Sequence, residues 1–307
     1  MTAQPAAIEV KNLGRSFGTT RALHDVTFTV PHGAICGLLG SNGAGKTTAM
    51  AIITGQDRPG SGEVVIEGMT PFESDAVSEI ISFVRDNQRY PDDFRLHHIL
   101  RVAPLFHRDW DSQFAERLAA LFGLPKRTLV KKYSRGQLSA LAIVIGLASR
   151  APITVFDEPY LGLDIVARER FYEELLADQA AHPRTFLIST HLVEEMEQIF
   201  DQVVVLNNGK VVLDASAEDL HGQATEVTGK YAELTEFIAQ LPVLRLRKVG
   251  SLASAIIRPG LTSAQMEEAR QRGLSTAPVA LHDLIAAFGN TYSPDADSEA
   301  DSRGSQE

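Results

Sequence analysis

Residues Gly40–Thr47 read Gly-Ser-Asn-Gly-Ala-Gly-Lys-Thr. An apolar run, Ala34–Leu39, precedes them and a helical pattern, Thr48–Ile53, follows. Strand, glycine loop and helix in that order form a phosphate-binding loop. Glycines at 40, 43 and 45 let successive backbone N–H groups turn inward with no Cβ in the way. A helix starting near Lys46 adds unpaired N–H donors and the positive end of its dipole. Lys46 is the residue to reach the β- and γ-phosphates, and the Thr47 hydroxyl the one to ligate Mg²⁺. Gly40, Ser41, Asn42, Gly43, Ala44, Gly45, Lys46, Thr47 and Thr48 are therefore the expected nucleotide-binding segment.

The other bulk properties narrow the setting. A chain of 307 residues exceeds one average domain, so two units are expected. A net charge of −10 argues against a surface that coats nucleic acid, and no nucleic-acid partner is expected. The single cysteine, Cys36, lies in the apolar run before the loop and reads as filler of a buried strand. No run approaches the ~18 apolar residues of a membrane span, and the N-terminus has neither the basic start nor the apolar core of a signal peptide. The expected location is the cytoplasm, with any membrane role exercised through a partner.

Along the chain, residues 7–30 alternate like two strands around Phe17-Gly-Thr-Thr20. Glu63–Ile66 and Ile80–Val84 read as further strands. From Leu96 to Arg150 the pattern is helical, with Phe114, Leu118, Leu121 and Phe122 at helix spacing and Gly123-Leu-Pro125 closing that helix. Ile153–Phe156 and Thr185–Ser189 are short apolar runs separated by a helix over Val166–Ala180. Strands alternating with helices argue for a parallel sheet buried on both faces. Asn208-Gly209 marks a hairpin turn inside Val203–Leu213. The expected fold class is α/β, with a mixed, mostly parallel core sheet, an N-terminal antiparallel β subdomain and a helical insert at about 92–150. The nucleotide-binding domain spans 7–222. A small α+β domain occupies 223–290, with strands at Val243–Val249 and Ala253–Ile257 and helices at Ser263–Arg272 and Leu281–Phe288. An acidic tail, 291–307, reads as disordered.

Chemistry accumulates downstream of the loop. Ile153-Thr-Val-Phe-Asp-Glu-Pro159 is an apolar strand ending in two carboxylates. Asp157 is placed to serve Mg²⁺, and Glu158 to face the γ-phosphate and orient or deprotonate the attacking water. Ser189-Thr-His191 follows the next apolar strand, which puts His191 at the edge of the sheet where ligands of such sheets bind. Tyr133-Ser-Arg-Gly-Gln137 precedes a helix starting near Leu138.

The order of phosphate loop, helical insert, Ser-x-Gly-Gln, Asp-Glu-Pro, Gly-Leu-Asp and Ser-Thr-His resembles the ATP-binding-cassette (ABC) ATPases over roughly residues 7–222. The resemblance implies specific roles. Asp157 is the Walker B acid, Glu158 the catalytic carboxylate and His191 the switch histidine. Tyr133–Gln137 is the signature segment, which in that family closes over the ATP of a second cassette. Ser134, Arg135, Gly136 and Gln137 would then act across a head-to-tail dimer. Asp164 of Gly162-Leu-Asp164 would lie on the same interface, and Phe17 would stack on adenine. The implied ligands are ATP and Mg²⁺. The implied partners are a second copy, or a related cassette, and a separate transmembrane permease.

Three departures from the family pattern stand out. Arg135 replaces the usual glycine at the third signature position, bringing a guanidinium near the partner's γ-phosphate, where it adds a charge-assisted bond or hinders approach. After Ile80–Arg85, where the family has a metal-linking glutamine, either Asp86 or Gln88 takes the role. Phe106-His-Arg-Asp-Trp-Asp111 resembles the aromatic-rich insert of a subgroup of bacterial exporter cassettes.

The function expected is an ATP-hydrolysing subunit powering export through a separate membrane protein, peripheral on the inner face of the cell membrane. The alternatives are a non-transport ABC ATPase of translation or DNA repair, and a nucleotide-gated regulator. Lys46 and Ser134 lie 88 positions apart, too few for the long coiled coil of repair types.

Overall fold

A computed structural model of the chain describes residues 6–85, 88–191, 197–220 and 224–289. Asp86 and the tail at 291–307 lie outside the described residues. The chain divides into two compact units, one running to Asp214 and the other beginning at Ala215.

In the first unit, β1 (Ala6–Phe17) and β2 (Thr20–Pro31) form an antiparallel hairpin, and β4 (Ser61–Ile66) pairs on the other edge of β1. Along β2, Val26, Phe28 and Val30 are buried while Asp25, Thr27 and Thr29 face out, the two-residue period of a sheet with one wet face.

The central sheet has six strands in the order β5-β6-β7-β3-β8-β9. These are β5 (Ile81–Val84), β6 (Ile153–Asp157), β7 (Thr185–Thr190), β3 (Ile35–Leu39), β8 (Gln202–Asn207) and β9 (Lys210–Ser216). The pairs β5–β6, β6–β7, β7–β3 and β3–β8 are parallel. Every residue of β3, β6 and β7 is buried, as a sheet covered on both faces requires. The β8–β9 turn has Asn208 at φ 47° and Gly209 at φ 73°, positive at both corners as a type I′ turn demands.

Register places the chemistry. Asp157 pairs with Ser189, and Leu39 with Thr190. The carboxyl ends of β3, β6 and β7 therefore finish level, and the phosphate loop, the two carboxylates and Ser-Thr-His emerge from one edge.

Helix α1 (Lys46–Ile53) follows the loop, and α2 (Asp75–Ile80) leads into β5, so Ile80 ends a helix and does not begin the strand. The insert comprises α3 (Leu96–Val102), α4 (Ser112–Leu121) and α5 (Arg135–Ala148). Asp111 caps α4, accepting from the Phe114 N–H at 2.8 Å, and pairs with Arg150 at 3.0 Å. Trp110, just before the cap, stacks with His107 at 6.1 Å between ring centres, within the insert. Helix α6 (Ile165–Ala181) connects β6 to β7.

The second unit contains α7 (Ala217–Leu220), β10 (Thr225–Lys230), α8 (Tyr231–Ile238), β11 (Val243–Val249), β12 (Leu252–Ile257), α9 (Ser263–Gln271), β13 (Ser275–Pro278) and α10 (Leu281–Gly289). Its antiparallel sheet runs β11-β12-β10-β13. Val227, Leu234, Ile257, Leu261 and Leu274 form its separate core. Strand β10, helix α8 and strand β13 add to the elements expected there.

Candidate nucleotide site

The phosphate loop takes the backbone its sequence anticipates. Gly45, at the N-cap of α1, has φ 105°, and a Cβ there would stand 2.8 Å from the Ala22 carbonyl oxygen. No L side chain fits that conformation or that space. The loop is braced from behind by the β8–β9 turn, whose Gly209 N–H donates to the Ala44 carbonyl at 3.0 Å.

Lys46 is buried, and Nζ donates to the carbonyls of Gly40 at 2.7 Å and Ser41 at 3.3 Å. Its third proton faces Glu158 Oε1, 3.5 Å away. Thr47 Oγ1 donates to Asp157 Oδ2 at 3.0 Å. Ser189 Oγ donates to the other oxygen, Oδ1, at 2.7 Å, so both oxygens of Asp157 are oriented.

Ser189 Oγ also accepts the Glu158 N–H at 2.9 Å. Glu158 has φ 49°, a left-handed backbone that costs a non-glycine residue about 1–3 kcal/mol and persists only where its surroundings hold it. The carboxylate is held as tightly. His191 Nδ1 lies 2.7 Å from Oε2, and Tyr160 Oη donates to that same oxygen. Since a carboxylate only accepts, the Nδ1 position carries a proton in this arrangement. Tyr160 is fully buried, and burial first, then the bond to Glu158, pushes its phenol well above the ordinary range.

Asn42 to Thr48, Asp157, Glu158 and His191 line one open cleft of about 690 Å³, which Arg135 and Leu161 also line. Arg135 thus lines the same cleft as the phosphate loop of its own chain. Gln88 lines an adjoining space of about 30 Å³ that also touches Arg135, Asp157 and Glu158. Gln88 is thereby brought beside the carboxylates; Asp86, the other candidate for the metal-linking role, lies outside the described residues.

The signature residues are engaged locally. Ser134 Oγ accepts the Gln137 N–H at 3.2 Å, and Gln137 Oε1 accepts the Ser134 N–H at 3.0 Å, a reciprocal capping box at the start of α5. A Cβ on Gly136 would stand 2.3 Å from the Gly162 carbonyl oxygen, so the signature packs directly on the Gly-Leu-Asp turn. Asp164 caps α6 through the Ala167 N–H at 2.8 Å. Beside it, Ile165 and Val166 are 72% and 56% exposed, unusual for large apolar residues. Phe17 stands apart from the cleft lining. It is half exposed at the β1–β2 tip, with the Arg15 guanidinium 4.9 Å over its ring.

Two contributors had no role assigned from the sequence. Ser189 was visible only as part of Ser-Thr-His, and Tyr160 only as the residue after Asp-Glu-Pro. Neither shows in sequence that it bridges to a second strand end about thirty positions away, Ser189 to Asp157 and Tyr160 to Thr190 and the His191 N–H.

The geometry agrees with what the chain is similar to. The ABC transporter family model matches residues 23–161. The chain is 28% identical over 240 residues to the osmoprotectant import ATP-binding protein OsmV of Salmonella typhimurium, covering 73% of this chain and 63% of that protein. It is 26% identical over 285 residues to the bacitracin transport ATP-binding protein BcrA of Enterococcus faecalis, covering 86% of this chain and 92% of that one. A solved ATP-binding subunit of an ABC transporter superposes with a TM-score of 0.63 at 28% identity, covering 70% of this chain and 91% of the other.

Proposed function

The chain belongs to the ABC transporter family, and on that premise we propose that it hydrolyses ATP to drive export through a separate membrane-spanning subunit. The observation that carries this reading is the convergence of Lys46, Asp157, Glu158 and His191 on one cleft. The loop N–H groups and Lys46 bind the phosphates. Glu158, its carboxylate aimed by Tyr160 and His191, takes the proton of the water that attacks the γ-phosphorus as the bond to ADP breaks. His191 hydrogen-bonds the γ-phosphate. The Thr47 hydroxyl and Asp157 would hold Mg²⁺, with Gln88 beside them. Among the described residues no group of three or more His, Cys, Asp or Glu could hold a metal alone. Two oxygen ligands suit an ion that keeps waters and phosphate oxygens for the rest. Bound Mg²⁺ supplies charge neutralisation to the phosphates.

A second copy completes the site. Ser134 and Arg135 are exposed, and Asp164, Ile165 and Val166 form a partly apolar exposed edge next to the Gly162 turn. A head-to-tail dimer would cover that edge and bring the second copy's Ser134 to Gln137 to the phosphates. Phe17, exposed at its hairpin tip, is free to meet adenine. No helix among the described residues is long and apolar enough to cross a membrane; in this reading the transport path lies in a separate membrane-spanning chain, and this chain sits peripherally on the inner face of the membrane. Export is favoured by the aromatic-rich insert, and a role in transport by the BcrA match. That match runs over 86% of this chain and so extends past the first unit.

The test is Glu158→Gln. The variant should bind ATP, stop turnover, dimerise only with ATP on size-exclusion with light scattering, and retain a multi-span protein from solubilised membranes. Hydrolysis near the parent rate would remove Glu158 from its role.

A further inference from the structure

Tyr160 lies outside the cleft lining and is fully buried beneath it. Its phenol oxygen nonetheless makes three bonds. It donates to Glu158 Oε2, lies 2.6 Å from Thr190 Oγ1, and accepts the His191 N–H at 3.1 Å. A phenol has one proton, and a carboxylate can only accept. The proton therefore goes to Glu158, leaving the Thr190 hydroxyl and the His191 N–H to donate to the phenol oxygen. One atom thus joins the end of β6 to the end of β7. The Arg168 guanidinium lies 5.9 Å over the ring, on the α6 side.

We propose that Tyr160 is a positioning residue for ATP hydrolysis, fixing the Glu158 carboxylate and the His191 backbone as one unit. The inference rests on Glu158 being the catalytic carboxylate. It explains how a side chain on a left-handed residue keeps a single direction. Glu158 Oε2 is held by Tyr160 and by the His191 ring, while His191 is itself held through its N–H by the same phenol. Loss of the hydroxyl would free both groups to rotate, without touching the phosphate loop. Small displacements of a reacting group carry large rate penalties, because the gain from orientation is lost.

The experiment is a double-mutant cycle on the full chain with Tyr160→Phe and Glu158→Gln, read in steady state and single turnover with Mg-ATP. Tyr160→Phe should lower kcat at least about tenfold with KM for ATP within about twofold. In the Glu158→Gln background, where steady-state turnover has stopped, it should cause no further loss of the slow residual single-turnover rate, because the carboxylate it positions is already gone. A parent kcat in Tyr160→Phe, or an equal loss in both backgrounds, overturns the inference while leaving Glu158 in place. Glu158→Gln at the parent rate overturns both readings together. If Tyr160→Phe does not fold, Thr190→Val keeps the ring and loosens the phenol. It should show a smaller fall in kcat with the same non-additivity, and an unchanged kcat overturns the proposal.

Discussion

Thr47 Oγ1 and Asp157 Oδ2 meet at 3.0 Å although 110 positions separate them. This contact closes the phosphate loop onto the carboxyl end of β6, and Ser189 holds the far oxygen of the same carboxylate. Asp157→Asn keeps the size of the group but removes the charge. ATP turnover should fall on the order of a hundredfold, and nucleotide affinity should lose its dependence on Mg²⁺. A titration of nucleotide binding with and without Mg²⁺, beside a melting curve, checks this. Unchanged Mg²⁺ dependence would take the metal role away from Asp157.

Arg135 sits where a glycine is expected and lines its own phosphate cleft. A single charge-assisted bond to phosphate contributes roughly 1.5–3 kcal/mol, and glycine near the start of α5 costs up to about 1 kcal/mol of helix stability. Arg135→Gly should therefore retain partial ATPase activity with a modestly lower melting temperature. Complete loss of turnover in a folded variant would show that the guanidinium has become indispensable.

The insert offers a pH test. The Phe114 N–H, and after it the Arg150 guanidinium, hold the Asp111 carboxyl below its ordinary value of 3.8. The native state therefore binds the proton less readily than the unfolded chain. The stabilisation is complete above the ordinary carboxylate range and disappears as pH falls through the lowered native value. Asp111 is about a third exposed, so the capping term sets the scale, about 1 kcal/mol. Denaturant unfolding of Asp111→Ala should show that deficit at pH 7 and a shrinking one below about pH 4. A deficit independent of pH would indicate lost packing instead.

Much of this molecule was legible in its residues because the signals are local. The buried strands β3, β6 and β7 are continuous apolar runs, the phosphate loop is contiguous, and Asn208-Gly209 can make few turns besides the one it makes. Helix α2 escaped notice because in six residues it buries only Val77. Strand β10 carries Gly229 and charged neighbours, and β13 is a mostly exposed edge strand, so neither has a hydrophobic period to read.

The nucleotide loop, the two carboxylates and the histidine could be read from the chain alone, since each depends on residue types at fixed short spacing. The mostly parallel sheet was legible too, because short, largely apolar strands alternating with helices need cover on both faces. How these parts address one another came from packing in three dimensions. Strand register set Asp157 beside Ser189, a buried phenol joined Glu158 to His191, and Arg135 came to line the cleft of its own chain. Those relations depend on which chain ends finish level in space and on a few tenths of an ångström in hydrogen-bond reach, neither of which is written in neighbouring residues.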